Sequence, residues 1–181
     1  MARPLVVILG GTRSGKSRFG RDRASALGAE GPVAYVGTVV AGDPELDDRV
    51  AGHRRDQPAT WASLEPGPDV PEAIRDQSAG TTILLDGLTL WLSLVAGDGI
   101  GPLQSILDGA VADLRGAIAG HDGPVIVVSD EIGLGLVPLD PLGRAFRDLL
   151  GILHQQLVAD SDEAWFVVAG RPIRLSEALS P

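Results

Sequence analysis

An eight-residue glycine-rich segment near the N-terminus restricts the fold of this chain more than any other feature. It fits the pattern G-x-x-x-x-G-K-S/T, which is typical of a loop that binds nucleotide phosphates. Lys16, inside this segment, is the only lysine among the 181 residues. A compact ammonium on a flexible stem suits a contact with phosphate oxygens. The segment reads Gly10-Gly11-Thr12-Arg13-Ser14-Gly15-Lys16-Ser17.

The residues on either side of this segment support a strand, a loop and a helix in succession. Residues 5–9 form a wholly apolar run, which is typical of a buried parallel strand. Residues 17–27 predict a helix, and Gly28 is suited to end it. Four residues of this helix recur at helical spacing: Phe19, Arg23, Ala26 and Leu27.

This arrangement predicts how a nucleotide would bind. Glycines allow backbone N–H groups to approach the phosphates, and the N-terminus of the helix adds its positive dipole. We expect Lys16 to contact the β- and γ-phosphates and the Ser17 hydroxyl to bind Mg²⁺. The alternative is a glycine-rich turn that only begins a helix.

Five apolar runs alternate with segments of helical character, which predicts an α/β fold with a mostly parallel central sheet and helices on both faces. Together with the glycine-rich segment, this favours a P-loop (RecA-like) NTPase fold in a single nucleotide-binding domain over residues 1–181. The predicted strands are 5–9, 33–36, 82–85, 125–128 and 165–168.

Three further segments complete the predicted secondary structure. Residues 58–80 are rich in Pro, Gly, Asp and Ser, and predict an exposed connection with a short helix near 71–77. Helices are predicted over 105–119 and over 141–158. The second of these has seven apolar residues on its predicted core face: Leu142, Ala145, Phe146, Leu149, Leu150, Leu153 and Leu157.

Composition excludes several classes of protein. The chain has no cysteine, which excludes disulfides and thiolate metal sites. A net charge of -9 argues against duplex nucleic acid as a partner. No apolar run is long enough to span a bilayer, and the first predicted strand leaves no room for a signal peptide. We therefore expect a cytoplasmic protein. Arginines nevertheless gather over residues 13–23 and at Arg49, Arg54 and Arg55, which fits a small anionic ligand, although a solvated helix face would also explain them.

Two residues outside the glycine-rich segment are candidates for chemistry. Asp86 ends the apolar run 82–85, and an acid at this place in a phosphate-loop protein helps to hold Mg²⁺. His53 is followed by two arginines, and a neutral imidazole can attack phosphorus. From residue type alone, a role as polar surface explains His53 better, and we expect the same role for His121 and His154.

A second glycine-containing loop follows the fourth predicted strand, over residues 129–138. Loops at the carboxyl ends of parallel strands surround the ligand crevice, so Glu131 could contact a substrate there. From spacing alone, a flexible connection explains this segment equally well. Arg144 and Arg147 lie downstream on one predicted helix, where they either bind anions or pair with Asp148.

From residue 5 to about residue 170, the chain resembles the bifunctional adenosylcobinamide kinase / adenosylcobinamide-phosphate guanylyltransferase family. The resemblance rests on several spaced motifs in one order. They are Gly10–Ser17, Tyr35–Thr38, Arg49–Arg54, Pro58–Trp61 with Glu65, Leu85–Thr89, Glu131–Pro138 and Arg144–Asp148.

The resemblance implies two reactions. ATP or GTP phosphorylates the aminopropanol hydroxyl of adenosylcobinamide, and GTP then transfers GMP to that phosphate, which gives adenosylcobinamide-GDP and pyrophosphate. The family carries GMP on a histidine, which His53 matches, and assembles as a homotrimer. The implied GTP contacts beyond residues 10–17 are Gly37, Thr38, Val39, Arg54, Arg55, Asp56, Gln57, Glu65 and Asp86.

The chain departs from many relatives at a few positions. Gly52-His53 stands where two histidines are common, Val39 replaces a serine, and Asp130 replaces an asparagine, in a chain without any asparagine. Two other functions stay open: a small-molecule P-loop kinase without guanylyl transfer, and a non-enzymatic GTP-binding module. The absence of an N-K-x-D-type guanine signature argues against the second.

Overall fold

The computed structural model describes residues 3–29, 31–38, 57–97 and 103–175. In these ranges seven strands form one sheet. The strands are β1 Leu5–Gly10, β2 Val33–Gly37, β3 Ala62–Leu64, β4 Thr82–Asp86, β5 Val125–Asp130, β6 Glu163–Val168 and β7 Arg171–Arg174. Their order in the sheet is β3-β2-β4-β5-β1-β6-β7, and only β7 is antiparallel to its neighbour.

The described helices connect these strands. A short π-helical segment, Leu107–Val111, joins two of them. The helices are α1 Lys16–Leu27, α2 Val70–Arg75, α3 Leu88–Ala96, α4 Leu103–Ile106, α5 Ala112–Gly120 and α6 Pro141–Asp160. None of the described helices is both long and apolar enough to cross a membrane.

Helices cover both faces of the sheet. Successive side chains of each strand point to opposite faces, so a strand such as β1 contributes to both hydrophobic clusters. In β1, Val7 packs in a cluster with side chains of α2, α3, α5 and α6. Ile8 belongs to the cluster on the other face, which α1 covers. Gly20 of α1 lies so close to the sheet that a β-carbon there would come within 2.7 Å of Val128 Cγ2. Helix α1, which follows the glycine-rich loop, is therefore packed directly against β4 and β5.

The five predicted strands are confirmed, and two strands were missed. The missed strands β3 and β7 lie at the two edges of the sheet and are largely exposed. A search for buried apolar runs does not find such strands. A two-residue turn with positive φ at Ala169 and Gly170 joins β6 to β7, which suits the twist of an antiparallel pair.

The helices differ from the predictions in detail. Residues 105–119 are helical, but the π-helical segment interrupts them. In α6 the predicted core face is right for Phe146, which packs partly buried against the core, and from Leu149 onward, whereas Leu142 is 46% exposed. In α1 the buried residues next to the sheet are Gly20 and Ala24. Of the four residues at helical spacing, Phe19 and Leu27 pack partly buried against the core, and Ala26 is exposed. Arg23 instead makes two hydrogen bonds to Glu163 on β6, each 2.8 Å long.

The predictions for the two downstream histidines were wrong, because both are buried. His121 follows α5, and its Nε2 lies 2.7 Å from the Thr81 carbonyl oxygen. His154 lies on the inner side of α6 and is 5% exposed. Helical spacing from Leu150 and Leu157 could have indicated the burial of His154. The burial of His121 has no such local signal, because its partner Thr81 lies 40 residues away in the sequence.

Candidate nucleotide-binding site

The strand register brings the candidate residues to one edge of the sheet. Gly10 at the end of β1 is level with Asp130 at the end of β5, and Gly37 at the end of β2 is level with Asp86 at the end of β4. Ligands of open parallel sheets bind in the crevice at the carboxyl ends of the strands. The predicted phosphate loop and Asp86 therefore lie on the same edge, where a ligand would bind.

The glycine-rich loop has the backbone geometry of an anion-binding turn. Arg13 and Gly15 both have positive φ, 56° and 98°, and such turns direct backbone N–H groups into a concave site. A β-carbon on Gly10 would lie 2.6 Å from the carbonyl oxygen of Val167, so no side chain fits there. The Gly170 amide donates to the Ser14 carbonyl over 2.8 Å and ties the loop to the end of β6.

Lys16 is held over its own loop. Its side chain is only 10% exposed, and its Nζ lies 2.5 Å from Asp130 Oδ1 and 3.3 Å from the Gly11 carbonyl oxygen. The ammonium thus lies between the loop that begins α1 and the end of β5. Sequence reasoning did not identify Asp130 as its partner.

Ser17 and Asp86 form an oxygen-rich pair. The Ser17 hydroxyl lies 3.2 Å from Asp86 Oδ1, and the Tyr35 hydroxyl lies 3.5 Å from Asp86 Oδ2. Burial, and then the charge of Asp86, raise the pKa of Tyr35 above its ordinary value. Tyr35 therefore stays protonated and can donate to the carboxylate.

Ser17 and Asp86 have the chemistry that Mg²⁺ prefers. A hydroxyl oxygen and a carboxylate are hard ligands, and one or two such groups suffice when phosphates and water complete the octahedron. Within the described ranges no group of three or more His, Cys, Asp or Glu side chains could hold a metal ion by itself. The residues thus fit a magnesium ion that arrives with a nucleotide.

Thr38 and Gly87 stabilise the end of β4. Thr38 is fully buried, and its hydroxyl donates to the Gly87 carbonyl oxygen over 2.6 Å. Gly87 has φ of 109°, and a β-carbon there would lie 2.5 Å from Thr38 Oγ1. This close contact fixes the turn directly after Asp86, where Gly87 precedes the first residue of α3.

A buried polar network supports the end of β5. His154 Nε2 lies 2.7 Å from Ser129 Oγ, which lies 3.1 Å from Thr89 Oγ1. The backbone amide of Asp130 donates to the same Thr89 oxygen over 3.0 Å. Burial lowers the pKa of His154, although the charge of Glu131 opposes the shift. Ser129 and Asp130 lie at the end of β5, which is the signal that could have found them. Thr89 lies in the first turn of α3, three residues after the end of β4.

The second predicted loop is anchored at both ends. The Glu131 amide donates to the Gly10 carbonyl oxygen over 3.0 Å, and Arg144 Nη1 donates to the Pro138 and Leu139 carbonyl oxygens. Arg147 lies 4.0 Å from Asp148, so the contacts described for these two arginines are local. Five large apolar side chains of the loop and the start of α6 are exposed: Leu134, Leu136, Val137, Leu139 and Leu142.

The remaining predicted contacts divide into two groups. Gln57, which is half-buried, and Glu65, which is exposed directly after β3, are described. The other predicted residues lie outside the described ranges, so their positions stay predictions. They are the candidate nucleophile His53 together with Val39, Arg54, Arg55 and Asp56.

Two surface cavities, of about 590 and 700 Å³, lie at the other end of the sheet. Both include Arg3 and Gly123, and neither includes a predicted nucleotide contact. The nucleotide site is therefore defined by the chemistry of the strand ends, and not by cavity volume among the described residues.

The parallel sheet and the glycine-rich loop at the end of β1 define a P-loop NTPase fold. In agreement, the chain is similar to a solved structure of an ATPase domain, with a TM-score of 0.53 and 16% sequence identity. The similarity covers 91% of this chain and 69% of that one, and it shows the fold alone.

Comparison of sequences is more specific. The model of the family described as "Cobinamide kinase / cobinamide phosphate guanyltransferase" matches residues 6–175, and the chain belongs to this family. It is 40% identical to the bifunctional adenosylcobalamin biosynthesis protein CobP of Pseudomonas aeruginosa, over 93% of this chain and 95% of that protein. It is 30% identical to CobU of Salmonella typhimurium and 29% identical to CobU of Escherichia coli, over 94% of this chain and 99% of each relative.

Proposed function

We propose that this chain is a bifunctional enzyme of cobalamin biosynthesis. It phosphorylates adenosylcobinamide with ATP or GTP, and then transfers GMP from GTP to adenosylcobinamide phosphate. The products of the second reaction are adenosylcobinamide-GDP and pyrophosphate. One P-loop domain over residues 1–181 carries a single nucleotide site for both reactions.

The observation that carries this proposal is the 3.2 Å contact of Ser17 with Asp86, next to a Lys16 held over its own loop, in a chain of this family. The loop Gly10–Ser17 holds the β- and γ-phosphates through its backbone amides and Lys16. The remaining contacts to the nucleotide come from Gly37, Thr38, Val39, Arg54, Arg55, Asp56, Gln57, Glu65 and Asp86.

Ser17 and Asp86 are the residues that would hold Mg²⁺. When bound, the ion neutralises charge on the phosphate oxygens. In the kinase reaction, Lys16 and the loop amides stabilise the charge on the γ-phosphoryl group while the substrate hydroxyl attacks it.

In the guanylyl transfer, His53 is the nucleophile. A lone pair of its neutral imidazole attacks the α-phosphorus, the bond from that phosphorus to the bridging oxygen of the β-phosphate breaks, and pyrophosphate leaves. A phosphate oxygen of the second substrate then attacks the same phosphorus and breaks the P–N bond. This covalent route divides the attack of one anion on another into two easier steps.

We further propose that the chain assembles as a homotrimer in the cytoplasm. The exposed apolar side chains of residues 134–142 support an assembly, because contacts between subunits cover surfaces of this kind. Size-exclusion chromatography with light scattering measures the mass directly. A monomer at micromolar concentration would contradict this part of the proposal.

Incubation with α-labelled GTP tests the whole proposal. A phosphoramidate is labile in acid and stable in base, so the protein should acquire a label with both properties. Addition of adenosylcobinamide phosphate should release the label as adenosylcobinamide-GDP. A protein that phosphorylates adenosylcobinamide but never acquires the label would be a small-molecule kinase. A protein that binds GTP and does neither would be a non-enzymatic GTP-binding module.

A further inference from the structure

The Lys16 ammonium has two hydrogen-bond partners within the described part of the protein itself. An ammonium has three N–H donors, and in the described structure two of its acceptors are the Asp130 carboxylate and the Gly11 carbonyl oxygen. The pair with Asp130 is the shorter contact, and it joins residues 114 positions apart in the chain. Because Lys16 is almost fully buried, its charge is poorly compensated by water and depends on this partner.

Asp130 cannot withdraw easily when a phosphate arrives. Its backbone amide is bonded to Thr89, and the next amide, that of Glu131, is bonded to the Gly10 carbonyl oxygen. These two hydrogen bonds fix the main chain at the end of β5 beside the phosphate loop. The carboxylate, whose side chain is 31% exposed, can only turn toward solvent. A phosphate that binds Lys16 must therefore replace the Asp130 carboxylate as its partner, and that carboxylate remains close by.

We propose that Asp130 is a further functional residue of this site, which competes with the β- and γ-phosphates for Lys16. The competition weakens binding of any ligand that needs the lysine, because like charges close together repel and the Lys16–Asp130 pair must be broken. When pyrophosphate leaves, the carboxylate recovers the ammonium. Asp130 thus accelerates release of the pyrophosphate that the guanylyl transfer produces, and this last step rests on the function proposed above.

Binding of inorganic pyrophosphate, measured by calorimetry with Mg²⁺ present, tests the competition without any turnover. Asp130→Asn keeps the size of the side chain and removes its charge, so we expect pyrophosphate to bind about five- to tenfold more tightly. Asp130→Glu keeps the charge and should bind as the wild type does. Asp122→Asn is the matched control, because this exposed residue, paired with Arg3, lies just before the opposite end of β5.

The direction of the effect separates the proposal from structural damage. A damaged site would bind pyrophosphate less tightly, whereas the proposal requires tighter binding. Unchanged or weaker binding by Asp130→Asn would overturn the proposal, and so would an equal gain by Asp122→Asn, since net charge alone would then explain it.

The kinetic consequence is tested separately. Inhibition of the labelling reaction by added pyrophosphate should become about five- to tenfold stronger in Asp130→Asn, and unchanged inhibition would overturn the role in release. Failure of the wild-type protein to acquire any label would reject the guanylyl transfer, while the binding experiment would still decide whether Asp130 competes for Lys16.

Discussion

The hydroxyl of Ser17, at the start of α1, lies 3.2 Å from Asp86 Oδ1, at the end of β4, although 69 residues separate them. Strand β5 lies between β4 and β1, so the two residues meet across one intervening strand. The contact depends on the parallel register, which places the carboxyl ends of these strands at one edge. Both side chains offer oxygen to a hard cation from fixed elements of secondary structure.

Replacement of Ser17 by alanine should therefore act through the metal ion. We expect Ser17→Ala to weaken binding of a non-hydrolysable GTP analogue about tenfold with Mg²⁺, and to have little effect in EDTA, because the hydroxyl contacts the ion and not the nucleotide. Fluorescence or calorimetric titration measures both affinities. Ser25→Ala, an exposed position on the same helix, serves as the control. An equal loss in EDTA would contradict the assignment of Ser17 to Mg²⁺.

His53 should be needed for only one of the two proposed reactions. We expect His53→Ala to abolish the acid-labile label from α-labelled GTP, because the proposed mechanism takes its attacking nitrogen from this side chain. The same variant should still transfer the γ-phosphate to adenosylcobinamide, since that reaction needs no covalent intermediate. Lys16→Ala should impair both reactions, because we propose that they share one triphosphate site. Undiminished labelling of His53→Ala would remove this histidine from the mechanism.

The first two glycines of the loop should differ in their effect on stability. A β-carbon on Gly10 would lie 2.6 Å from a backbone oxygen of β6, whereas one on Gly11 would meet nothing within 4 Å. We expect Gly10→Ala to lower the free energy of unfolding by about 1–3 kcal/mol, and Gly11→Ala to change it by less than about 0.5 kcal/mol. Urea denaturation measures both values. Equal stability of the two variants would show that β6 moves aside at little cost.

Acid should destabilise the protein through His154. Burial lowers the pKa of this side chain in the folded state, so the unfolded chain takes up a proton first as the pH falls below about 6.5. The contribution of His154 to stability is therefore complete above that pH and is lost as the pH falls from there toward the lower folded-state value. Urea unfolding at pH 7.5 and 5.5 should show a larger loss for the wild type than for His154→Gln.

A second variant checks the cause of this pH dependence. The charge of Glu131 raises the pKa of His154 and so opposes the effect of burial. We expect Glu131→Gln to lower the pKa of His154 further and to increase the loss of stability in acid. If the wild type and both variants lost stability equally between the two pH values, another group would be responsible.

Much of the site could be predicted because its signals are local. The loop Gly10–Ser17 follows a buried strand and begins a helix, and Asp86 ends a run of apolar residues, so spacing alone placed each at the end of an element. The two edge strands were missed for the opposite reason. Neither β3 nor β7 buries an apolar run, and their pairing depends on the sheet beside them.

The sequence by itself thus determined the five apolar strands, the helices that follow clear apolar spacing, and the glycine-rich loop expected to hold phosphate, because hydrophobic periodicity and glycine geometry act over a few residues. Only the tertiary structure decided that β1 lies between β5 and β6, that Asp130 pairs with Lys16, and that His154 is buried against Ser129. These contacts join residues 25 to 157 positions apart, as in the bond from the Leu5 amide to Asp162. Such pairs form only when the whole sheet packs, and spacing over a few residues does not indicate which distant residues will pair.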